Sequence, residues 1–249
     1  MLAKTQAAIV SLALAAMTLA PPPVVHAAEI SDPLEGLNRA VFIFNDKLDR
    51  WVLEPVARGW DFVLPDPAQT GFDNFFSNLR FPIDFTNELL QGQPRQAGRD
   101  LGRFVVNTTI GIGGFFDHAT KFGLEKDKED FGQTFGVWGV GTGPYLMLPF
   151  FGPSSPRDAV GTVLDGFATV WPYFVDRDVV WIPPVVGLVN TRSLYLDEIE
   201  NARETSLDYY TFVRNLYAQR RAALIADRPQ DAVDAEAEDD LYFYDEAAE

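Results

Sequence analysis

The sequence predicts a mostly α-helical single domain of several short amphipathic helices, with few or no strands. Three observations predict it. Apolar residues recur at helical spacing from Asp32 onward, prolines bound most of these runs, and alternating strand-like runs are scarce. Short, proline-bounded helices suit a flat or ring-like arrangement better than a long bundle.

Residues 1–27 read as a cleavable secretory signal. Lys4 supplies the positive start, Ala7 to Leu19 is apolar, and Val25-His26-Ala27 precedes a cut after Ala27. The mature chain is therefore expected outside the cytoplasm. With no cysteine, disulfides, thiolate chemistry and a lipidated cysteine are not expected. A net charge of −16 argues against a nucleic-acid partner. More than half of that charge falls between Asp231 and Glu249, which hold nine acids and no base. Residues 28–228 are expected to form the domain, and 229–249 a disordered acidic tail. Leu241-Tyr242-Phe243-Tyr244 within it is either a docking segment or part of a solvating tail.

Asp32-Pro33-Leu34-Glu35 opens the first helix. Asp32 can cap it, Pro33 suits its first position, and Glu35 completes a capping box. Leu34, Leu37, Val41, Phe44, Leu48, Trp51 and Val52 then share one face, with Phe42 and Ile43 off it. Such a stripe fits a helix at a membrane interface or a core helix. Pro55 and the Leu64-Pro65-Asp66-Pro67 cluster are expected to break the pattern. Further helices are expected near 67–80, 82–92, 94–111, 155–170, 186–203 and 206–226, with Ser155 capping the helix that Pro156 starts. On the fourth helix Arg95, Arg99 and Arg103 recur every four residues. They form either a row for lipid phosphates or a solvated face.

Phe131 to Pro156 contains no charged residue, six glycines and four prolines. It is long enough to span a bilayer but too interrupted to do so as a helix. It is either the core of a soluble domain or the wall of a lipid-accessible cavity.

Signals for chemistry are weak. His118 is the one histidine after the signal, no G-x-S-x-G or H-E-x-x-H occurs, and Ser154 and Ser155 sit between prolines where capping explains them. No enzyme activity, cofactor or metal is expected.

Several blocks resemble the MlaA/VacJ family. They are Asp32, Pro33, Gly36, Asn38, Arg39, Phe44 and Asn45; Asn87 to Gly92; Arg103-Phe104 with Gly111 to Asp117; and Phe131 to Thr134 with Gly139 to Tyr145, Leu148 to Phe150 and Arg157-Asp158. The resemblance implies a ring of helices in the inner leaflet of the outer membrane around a central amphipathic channel. Mislocalised phospholipids would leave the outer leaflet through it and pass to a periplasmic lipid carrier (MlaC-like), which maintains lipid asymmetry. A trimeric porin would hold the ring in place. Carried onto this sequence, the channel wall and gate are Phe135, Trp138, Gly139, Gly141, Gly143, Pro144, Tyr145, Leu146, Met147, Leu148 and Pro149. Arg95, Arg99 and Arg103 are candidate headgroup contacts. The alternative is a periplasmic interaction or scaffold protein at the outer membrane, without lipid passage.

Overall fold

The structure, a computed structural model, describes residues 30–226. The expected signal (1–27) and acidic tail (229–249) lie outside the described residues. Helix α1 (Glu35–Leu48) runs through one π-helical turn (Asp49–Leu53) into α2 (Glu54–Val63). Then come α3 (Asp66–Leu79), α4 (Phe81–Leu90), α5 (Pro94–Thr109) and α6 (Phe131–Val137). A two-stranded hairpin follows, β1 (Leu146–Leu148) and β2 (Gly152–Ser154), then α7 (Pro156–Ala168), α8 (Ile182–Leu194), α9 (Leu196–Thr205) and α10 (Tyr209–Ile225). The architecture is mostly helical, as the sequence predicts.

Pro55 does not break the first helix. The N–H of Glu54 reaches back to the Asp49 carbonyl in the wider π turn, and Pro55 enters α2 in its first turn, where a missing donor costs little. Nor does Asp32 cap α1. The first turn begins at Leu34 without a side-chain cap. The Asp32 carboxylate instead accepts from Asn38 and the Tyr210 hydroxyl and pairs with Arg214. Glu35 pairs with Arg39 one turn on. The single helix expected near 186–203 is two, broken at Tyr195 (φ −122°, ψ 32°). Ser155 caps α7 as expected, accepting from the Asp158 N–H.

The uncharged stretch divides into three parts. Phe131–Val137 is α6, capped by Asp130, whose carboxylate accepts from the Gln133 N–H at 2.8 Å. Trp138 to Gly143 is an exposed loop. Residues 146–154 hold the antiparallel hairpin, in register Leu146–Ser154, Met147–Pro153 and Leu148–Gly152.

Helices α6 and α7 touch backbone to backbone. A Cβ on Gly161 would lie 2.3 Å from the Gly132 nitrogen, where neither side can yield. Gly161→Ala is therefore expected to cost about 3 kcal/mol, seen as a lowered thermal midpoint.

Candidate functional site

The polarity of the molecule is inverted relative to a water-soluble domain. Of the stripe that runs from α1 into the π turn, Leu37 is 62% exposed, Trp51 75% and Val52 54%, whereas Asn38, off that stripe, is 2% exposed. The same holds on other elements. Phe62 and Val63 end α2, Phe150 and Phe151 tip the hairpin, Phe167 lies on α7 and Phe174 follows it, all exposed. Inside are Gln69, Asp84, Asn87, Glu88, Gln133, Asp158, Asn190 and Arg192. Buried polar groups and exposed large apolar ones are the informative departures from ordinary burial.

Those interior groups are largely paired. Asn190 accepts from the Trp60 indole at 3.0 Å and donates to the Gln69 carbonyl at 3.0 Å, joining α8 to α2 and α3. Arg221 on α10 binds Asp130 at 2.6 Å and Asp158 at 2.9 Å, joining α10 to α6 and α7. Burial pushes both aspartates up, but the Arg221 guanidinium and their other hydrogen bonds hold them below the usual carboxylate range.

Two asparagines on one face of α1 fasten the hairpin. Asn38 donates to the Tyr145 carbonyl at 3.0 Å and accepts from the Met147 N–H at 2.9 Å. Two turns on, Asn45 donates to the Leu148 carbonyl and accepts from the Phe150 N–H, both at 2.9 Å. Each carboxamide takes the place of a peptide unit on a neighbouring strand. Phe44 adds an edge-to-face contact with Phe150 at 5.4 Å. The N-terminal motif and the uncharged stretch, 107 residues apart at Asn38 and Tyr145, are thus one assembly.

This assembly forms one side of a cavity of about 180 Å³ between α1, the hairpin, α9 and α10. Phe42, Met147, Gly152, Pro153, Ile199, Tyr209 and Val213 make the apolar wall; Asn45, Asp46, Asp49 and Arg203 make the polar one. Behind the polar wall, Arg203 binds Asp46 at 3.1 Å, Glu54 at 3.0 Å and also Asp49. Arg192 binds Asp49 at 3.0 Å and Glu54 at 3.3 Å. The break at Tyr195 lets arginines of two helices converge on these acids. Burial pushes Glu54 up, yet hydrogen bonds from Arg58 and Arg203 and the charge of Arg192 hold it below the usual range.

Among the residues expected to line a channel, Met147 lines this cavity. Tyr145 is fully buried beside it, packed edge-on to Tyr210 and Tyr217. Leu146 and Leu148 alternate with these two and are half-buried. Phe135 is half-buried on α6 against Trp138, and Trp138 donates to the Leu90 carbonyl at 3.0 Å. Gly139, Gly141, Gly143 and Pro144 belong to the loop that Arg157 anchors through Thr142, and Pro149 is exposed at the hairpin turn. Within the N-terminal motif, Arg39 pairs with Asp208 and covers the Tyr210 ring, while Pro33 and Gly36 are exposed. The arginine row of α5 does not share one environment. Arg95 is exposed, Arg99 pairs with Asp127, and Arg103 is buried against Asp117 and the Leu124 carbonyl.

Asp46, Asp49, Ile199, Arg203, Tyr209 and Val213 were not singled out by sequence reasoning. The available signal was the polar face of α1, where Asn38, Asn45, Asp46 and Asp49 recur at helical spacing.

A second polar cluster lies between α4 and α5. Burial raises Asp84 to about 6, Glu88 to about 8 and Asp100 to about 7. Both Glu88 oxygens and one of Asp100 have no hydrogen-bond partner within the chain. The folded state therefore holds protons that an unfolded chain releases. Stability from Glu88 is full below its ordinary value of 4.5 and is lost as pH rises through about 8. Glu88→Gln is expected to flatten that decline by up to about 1.4 kcal/mol per pH unit, measured by unfolding between pH 5 and 8.

A family model described as MlaA lipoprotein matches residues 30–224. The Escherichia coli K12 protein named "Intermembrane phospholipid transport system lipoprotein MlaA" is 38% identical over 224 residues, covering 85% of this chain and 86% of that one. The protein of that name from Haemophilus influenzae is 36% identical over 197 residues, covering 77% of this chain and 78% of that one. A solved structure described as "Structural basis for maintenance of bacterial outer membrane lipid asymmetry" matches with a TM-score of 0.70 at 38% identity, over 78% of this chain and all but 1% of the other. No described helix is long and apolar enough to cross a membrane. Fold, matched length and identity agree, and the chain belongs to the MlaA lipoprotein family.

Proposed function

We propose that this protein sits in the periplasmic leaflet of the outer membrane and removes mislocalised phospholipids from the outer leaflet. It passes them through an amphipathic channel, of which the cavity beside Met147 is part, to a soluble periplasmic carrier. The observation that supports this reading is the inverted polarity around a cavity with one apolar and one polar wall. A lipid needs both walls, one for its chains and one for its headgroup. An apolar rim with a hydrogen-bonded interior is what a protein needs when lipid is its solvent. The relatives named for intermembrane phospholipid transport support the same assignment. In this proposal the ring is held by the rim and by a trimeric porin. The 249 residues contain no cysteine to carry a lipid anchor.

Deleting the protein in a Gram-negative host that makes it tests the proposal. Outer-leaflet phospholipid is expected to rise and to return to normal on re-expression. An unchanged outer leaflet would overturn the transport role and favour a scaffold. The rim makes a separate prediction. The protein is expected to stay with outer membranes washed in high salt and to leave them in detergent. Phe150→Asp with Phe151→Asp is expected to shift a measurable fraction into the salt wash, because both rings are largely exposed at the hairpin tip.

A further inference from the structure

We infer that the cavity selects phospholipids whose headgroup carries a primary ammonium over those whose headgroup is net anionic. The inference rests on the lipid passage proposed above. Three charged residues line the cavity, the carboxylates of Asp46 and Asp49 and the guanidinium of Arg203. The lining therefore carries one negative charge in excess.

Orientation adds to that excess. The side chains of Asp46 and Asp49 are 18% and 19% exposed, against 10% for Arg203 and 4% for Arg192 behind it. Each nitrogen of Arg203 already serves an acid, Nε with Asp46, Nη1 with Glu54 and Nη2 with Asp49. Asn45, the other polar group of the wall, has its amide engaged by the hairpin backbone through both donor and acceptor. Arg50 also meets Asp46, but it stands outside the lining. A phosphodiester entering alone meets two carboxylates and one guanidinium whose three nitrogens each already serve an acid. An ammonium two carbons from that phosphate finds carboxylate oxygens with lone pairs to spare. Phosphatidylethanolamine brings both groups with no net charge; phosphatidylglycerol brings the phosphate alone.

The test uses the full-length protein in mild detergent. It is equilibrated with an equimolar mixture of phosphatidylethanolamine and phosphatidylglycerol of identical acyl chains. Bound lipid is then counted by mass spectrometry after repurification. The ethanolamine lipid is expected in roughly five-fold excess, as for one unit charge at a partly hydrated site. Ile199 lies one turn before Arg203 on α9, half-buried and outside the ion-pair network, so Ile199→Lys adds a cation to the lining without removing any member of that network. This variant is expected to bring the ratio to equality or below, while Leu207→Lys, at an exposed position outside the lining, keeps the wild-type ratio. A wild-type ratio matching the supplied mixture, or favouring the anionic lipid, overturns the selectivity and leaves lipid passage standing. An unmoved ratio in Ile199→Lys also overturns it, since selection would then occur elsewhere. If no phospholipid is bound, both the selectivity and the passage are overturned.

Discussion

Arg203→Ala is expected to be the most damaging single change to stability, lowering the free energy of unfolding by about 3–5 kcal/mol. The side chain is 10% exposed and bonds Asp46, Asp49 and Glu54, which belong to α1, the π turn and α2. Without it, three carboxylates of one buried cluster keep only Arg192 behind them and the exposed Arg50 and Arg58 at its edge. The penalty comes from leaving those charges short of compensation, not from losing a strong attraction. The result should read as a fall of roughly 10 °C in thermal midpoint in mild detergent. Arg203→Lys should recover little, because one ammonium cannot serve three acids with the geometry of a planar fork. A midpoint within 2 °C or so of the wild type would mean that α1, α2 and α9 are held together chiefly by something else.

Val213→Trp is expected to be the most damaging change to function. Val213 is half-buried on α10 and lines the cavity of about 180 Å³ opposite the polar wall. An indole in place of an isopropyl group would project into that volume. Because the volume is already open, the ring should enter without the strain that overpacking a filled core produces. Cells carrying the variant should accumulate outer-leaflet phospholipid to the level of a deletion, a loss of export of at least about ten-fold. The purified protein should keep its thermal midpoint. Val213→Ala should export normally. Normal export by Val213→Trp would place the lipid route away from this cavity.

Much of the fold was legible because proline and capping residues mark helix starts locally. Asp66 to Leu79, Phe81 to Leu90, Pro94 to Thr109 and Pro156 to Ala168 all start at or beside a proline, and each lies close to its expected range. Pro55 misled because the compensating π turn depends on Asp49 and its neighbours being held from outside the helix by Arg192 and Arg203. Asp32 misled because a cap and a long-range acceptor need the same side chain, and only tertiary structure brings Tyr210 and Arg214 to it. The direction in which the α1 stripe faces was also out of reach. Periodicity gives a face its composition but not its side, and here most of the stripe turns outward, with Val41 packed against the core.

The candidate site was legible in part. Met147 came from the uncharged stretch, and Asn38 and Asn45 from the N-terminal motif, while the hairpin that carries Met147 was not expected. The bond between the two blocks did not, since nothing local predicts a contact over more than a hundred residues. The remaining lining residues, Ile199, Arg203, Tyr209 and Val213, come from the C-terminal third, where ordinary helical composition hides their role.

The two asparagine clamps have one more consequence. Carboxamides bear no formal charge and do not titrate, so the four hydrogen bonds from α1 to the hairpin backbone respond to ionic strength and acidity less than ion pairs do. The one ionic link is from the Asn38 amide to the Asp32 carboxylate. Ionic fastenings loosen and tighten with the salt and acidity of the medium around them. A hairpin pinned by neutral amides keeps Met147 and Phe150 in register through such swings. The geometry of the cavity mouth should accordingly be a constant of the molecule, even in salt or acid that weakens the ion pairs around it.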